Sequence, residues 1–134
     1  MKPLSAISGY AELLDNIRSY YATREGDDSS AAFSATMLLA ALAALNLAAF
    51  SVCVDLIVNR ELRVAQWIRA HRALAILIPV GIGCAHLWFA KWSGVYDRRG
   101  SRDITSMPRE LWWYLGATAL LLVATLLAVK LVQA

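Results

Sequence analysis

Three runs almost free of charge, Ser34–Ile57, Ala73–Ala90 and Leu111–Val129, limit what this chain can fold into. A helix rises about 1.5 Å per residue, so about 20 residues cross a bilayer core of about 30 Å. The first run holds 24 residues with one acid, Asp55, near its end. The second reaches spanning length once Arg72, Lys91 and Trp92 sit at headgroup depth, where basic side chains snorkel. The third runs 19 residues before Lys130. A soluble helix needs a polar face, and Leu74–Ile78 and Leu120–Ala124 have none. Charged residues make up 17%, against about 25% in soluble domains, which agrees with that reading. The expected fold is therefore an all-α integral membrane protein with three transmembrane helices preceded by an N-terminal amphipathic helix. The spans fall at about 32–58, 72–92 and 110–131.

Residues 1–30 read as a separate segment ahead of the transmembrane domain, 31–134. Leu4, Ile7, Ala11, Leu14, Arg18 and Tyr21 recur every three or four positions, which predicts a helix over Leu4–Tyr21. Glu12, Asp15, Asn16 and Ser19 fall largely off that stripe. Ala22–Ser30, rich in turn formers, reads as an acidic linker, with Asp28, Ser29 or Ser30 capping the first span. The helix lies on the membrane surface or against the spans, or it serves as a gate or oligomerisation element. Its near balance of acids and bases speaks against simple adsorption to lipid. No cleavable signal peptide is expected, because the first apolar run follows about thirty residues containing five acids.

Trp88 and Trp92 close the second span and Trp112, Trp113 and Tyr114 open the third, an aromatic belt at one interface. The loop after the second span carries Gly94 and Gly100, and Thr105 or Ser106 can cap the third helix with Pro108 in its first turn. The opposite loop, Asn59–Arg72, carries Arg60, Arg63, Arg69 and Arg72, candidates for headgroup or ligand contact. Leu62, Ala65 and Ile68 form an apolar stripe there, so the spans can continue as helix beyond the bilayer. The N-terminal side holds eight basic residues and the other side five, which favours a cytoplasmic N-terminus.

The first span carries the most informative pattern. Ser34, Met37, Ala41, Ala44, Ala48, Ser51 and Asp55 form one stripe of mostly small or polar side chains ending in an acid. Such a stripe either packs closely on another helix or lines a water path with an acidic ring at its mouth. Asp55 is equally suited to a salt bridge with Arg60 or Arg69. Asn46 lies mid-span on another face and suits an interhelical hydrogen bond. Pro79 predicts a kink in the second span. It shares a face with Gly83 and His86, and His86 is either a proton-sensitive gate or a hydrogen-bonded packing residue. Thr118 and Thr125 share a face of the third span, where their hydroxyls can bond their own helix. Asn46, Pro79, Gly83, His86 and Thr118 are thus the gating or polar-packing candidates.

Catalysis is not expected. Ser51 and His86 differ in depth, His71 sits in the arginine-rich loop, and no paired intramembrane carboxylates occur. Two histidines and two separated cysteines give no metal spacing, so neither metal nor cofactor is expected. Cys53 and Cys84 differ in depth by about 10 Å or more, too far for a disulfide within one chain, and read as packing residues. Two functions remain. One is a homo-oligomeric channel, since three spans alone cannot enclose a water path. The other is a non-catalytic accessory or scaffold subunit of a heteromeric membrane complex.

The helix Leu4–Tyr21, the acidic linker Glu25–Asp28 and three compact spans together resemble the small membrane effectors of bacterial anti-phage defence systems, such as the Hailong type. The resemblance covers the whole chain and is architectural. It implies an oligomeric channel, for which a tetramer is the working size, in the bacterial inner membrane. It also implies a regulatory nucleotide or oligonucleotide supplied by a partner enzyme.

Overall fold

The computed structural model describes residues 3–59, 63–97 and 106–133, and those residues are all helix and connecting turns. Five helices follow one another: α1 Pro3–Glu25, α2 Asp28–Asn59, α3 Arg63–Ala70, α4 Arg72–Trp92 and α5 Arg109–Gln133. Three of them, α2, α4 and α5, are long and apolar enough to cross a membrane. Arg60, Thr105 and Leu62 lie outside the described residues.

The expected linker is two residues long rather than nine. Gly26 takes φ +72°, a left-handed conformation that glycine adopts without steric cost, and ends α1. Asp27 then caps α2: its carboxylate accepts the Ser30 N–H at 3.0 Å and the Ser29 N–H at 3.3 Å. The cap is thus Asp27 rather than Asp28, Ser29 or Ser30, because only its side chain reaches back over the first free N–H groups. So short a turn folds α1 back along the first half of α2 as an antiparallel hairpin.

The 32 residues of α2 make a rod of about 48 Å, longer than a bilayer core. Its N-terminal part is where α1 packs. Leu14 and Ile17 of α1 meet Ala35, Leu39 and Leu42 of α2, Ala90 at the end of α4, Val95 just after it, and Leu111 at the start of α5. This core sits level with the exposed Trp88, Trp92, Trp112 and Trp113.

Along the rest of its length α2 is the hub. Helices α4 and α5 each pack along α2 and form no extended contact with one another. Thr125 of α5 reaches the Ala49 carbonyl at 3.4 Å and the Cys53 sulfur at 3.1 Å. Cys53 is accordingly a packing residue, whereas Cys84 is exposed, because α4 presents only one side to α2. Helix α4 continues without interruption through Pro79 and ends at Trp92, with Gly94 at φ +70° just beyond its cap.

Candidate functional site

The small-residue stripe of α2 divides among three surroundings. Ser34, at the hairpin end, donates to Glu25 of α1 at 3.3 Å. Ala41 and Ala48 are exposed and Ala44 and Ser51 half-buried. Ala44 and Ala48 each follow a core residue, Ala35 and Leu39, by about two and a half turns, so this face points away from α1. Ala44, Ala48 and Ser51 line a groove closed on its other sides by α3 and α4, with a volume of about 300 Å³. Ser51 donates to the Leu47 carbonyl of its own helix at 2.7 Å.

Asp55 is buried, 5% exposed, and one carboxylate oxygen accepts the backbone N–H of Val64 at 2.7 Å. A carboxylate there satisfies an orphan donor in the first turn of α3 and complements the positive end of its dipole. The arrangement explains why an acid is tolerated at this depth. It also directs α3, whose Val64, Trp67 and Ile68 face the groove; of the expected Leu62–Ala65–Ile68 stripe, Ile68 lines it and Leu62 lies outside the described residues. Arg63, Arg69 and Arg72 are exposed on this end of the molecule. Trp67 stacks on His71 with ring centroids 5.2 Å apart.

The gating candidates do not gather at one point. His86 has Nδ1 2.8 Å from the Ile82 carbonyl and meets the ring of Tyr10 edge-on, centroids 5.9 Å apart. Tyr10 also packs edge-on against Phe89 at 5.4 Å. These contacts place the first half of α1 beside a spanning helix. Thr118 is buried and donates to the Tyr114 carbonyl at 2.9 Å. Pro79 lines the groove, and Gly83 has open space where a Cβ would stand. The Asn46 side-chain oxygen is buried with no hydrogen-bond partner, so the expected interhelical bond from that oxygen is absent within the protomer.

The sequence reading missed a buried ionic bridge. Arg18, 2% exposed, donates from Nε to Asp15 at 3.0 Å and from a terminal nitrogen to Asp28 at 3.2 Å. The guanidinium thus ties α1 to the first turn of α2. Asp15 and Ser19, expected off the packed stripe, are buried with it. The hairpin covers this part of α1 on more sides than one helix face would. An arginine within an apolar stripe, with an acid three residues earlier, was the signal available. Beyond this bridge, Arg24 lies 4.5 Å over the ring of Tyr20, a cation–π contact near the end of α1.

No known protein family, curated protein or solved structure matches this chain.

Proposed function

We propose that the protein is the subunit of a homo-oligomeric membrane channel, a pore-forming effector whose N-terminal helix gates it. The observation that supports this reading is the division of α2 into two faces. One face is covered by α1 and clamped through Arg18. The opposite face carries the exposed Ala41, and its Ala48 opens into the groove beside α3 and α4. Small residues let helices approach closely, so this face suits a symmetric contact around an axis, with Asp55 near one mouth. Packing of Tyr10 on His86 and Phe89 gives α1 a seat from which it can act on α4. The architecture extends the proposal to a gated toxic effector of anti-phage defence in the bacterial inner membrane, N-terminus cytoplasmic. A nucleotide or oligonucleotide from a partner enzyme would then be the trigger.

The test is ion flux through liposomes holding the purified full chain and, in parallel, the chain lacking residues 2–21. Flux that rises steeply with protein density, and faster in the truncated chain, supports a gated channel. Silence from both, with the protein inserted, refutes the channel and supports the accessory-subunit reading.

A further inference from the structure

We infer that the groove between α2, α3 and α4 is a seat for one acyl chain of an anionic phospholipid, whose phosphate is held by Arg72. The groove holds about 300 Å³, at the lower bound of ligand pockets. Its wall is apolar. Ala44 and Ala48 make a shallow floor, Pro79 one side, and Trp67 and Ile68 the cover. The hydroxyl of Ser51 is already bonded to its own helix and asks nothing of an occupant. From Ser51 to Ala44 the floor descends about 10 Å along α2, the direction an acyl chain takes. A polar ligand would find no partner there, and water would find few.

Helix α3 decides which lipid. Val64, Trp67 and Ile68 face the groove, while Gln66 and Arg69 fall on the opposite arc. An eight-residue helix with one apolar and one basic face lies in the membrane interface. Trp67, 43% exposed and stacked on His71, suits headgroup depth. Arg72, which is exposed, precedes the groove residues Ala75 and Pro79 by about one and two turns on the same arc of α4, at the end of the groove where the phosphate of a seated lipid lies. Cation and phosphate complement one another, and a surface arginine strengthens anionic-lipid binding about fivefold. The seat stands independently of channel activity, since a protomer that conducts nothing would still hold the lipid.

The experiment reconstitutes the full chain in nanodiscs of phosphatidylcholine with a minor fraction of phosphatidylglycerol. The lipid that stays with the protein after mild extraction is counted by native mass spectrometry. Phosphatidylglycerol should be retained preferentially. Arg72→Gln should lower its retention about fivefold without changing that of phosphatidylcholine. Ala48→Phe should lower retention of both lipids, and glycerol phosphate, a headgroup without chains, should displace neither. Equal retention by wild type and all variants overturns the proposal, as does displacement by glycerol phosphate. Should Ala48→Phe not insert, fluorescence quenching by lipid brominated in its chains replaces it. There Trp67 is kept as the single tryptophan, the other four being replaced by phenylalanine, and unquenched Trp67 fluorescence overturns the seat.

Discussion

Replacing Arg18 by methionine removes the guanidinium that Asp15 and Asp28 share, while keeping most of the side chain's volume. The magnitude follows from exposure. The Arg18 side chain is 2% exposed, that of Asp15 12% and that of Asp28 38%. Removing one partner of a buried ion pair costs about 3–5 kcal/mol. The Asp28 contact adds little to that, because a carboxylate more than a third exposed is screened by solvent. A loss of this size raises the population of hairpins with α1 detached by about a hundredfold to a few thousandfold. Amide hydrogen exchange across Leu14–Ala22 in nanodiscs reads that population directly. The companion variant, Arg18→Met with Asp15→Leu, should recover much of the protection, since a buried pair is well replaced by apolar side chains. Exchange in Arg18→Met within about threefold of wild type would refute the latch. A double variant as unprotected as the single one would show that the loss does not arise from the Arg18–Asp15 pair.

Asp55→Asn should leave α3 folded, because an amide oxygen still caps it, whereas Asp55→Ala should cost about 1 kcal/mol, read as a lowered thermal midpoint. If Asp55 also forms a ring at the channel mouth, Asp55→Asn shifts the reversal potential toward lower cation selectivity, and an unchanged potential removes the ring. Gly26→Ala should destabilise the hairpin by about 1–2 kcal/mol, because its φ of +72° opposes a Cβ although no neighbour crowds the site, and Gly26→Asn should cost less. The Ser29 hydroxyl, then the N–H groups of Ser30 and Ser29, hold the Asp27 carboxylate below its ordinary value of 3.8. Its contribution to the turn is therefore complete above that value and lost as the pH falls through the lower folded value. The Ser30 amide resonance should follow this titration, and Asp27→Asn should abolish it.

The three spans were legible in the sequence because the bilayer imposes its own length and polarity on any helix that crosses it. Uncharged runs such as Leu111–Val129 match in their bounds, within a few residues, the three helices long and apolar enough to cross a membrane. The helix at the N-terminus was legible from its 3–4 spacing, although it runs on from the expected end at Tyr21 to Glu25 before Gly26 stops it. Which residue caps α2 was not legible, since Asp27, Asp28, Ser29 and Ser30 are all good caps and only chain geometry selects among them. The bridge from Asp15 through Arg18 to Asp28 needed the hairpin, because residues ten apart meet only when the chain reverses between them. Asp55 read as an acid at a membrane edge. That it caps α3 depends on the backbone turning within a few residues, which no spacing rule encodes. The groove belongs wholly to tertiary structure, for it exists where α3 crosses the interval between α2 and α4. Local physics thus fixes which segments become helices long and apolar enough to cross a membrane, while the pairing of their faces, and every site built between them, is settled by how the chain folds back on itself.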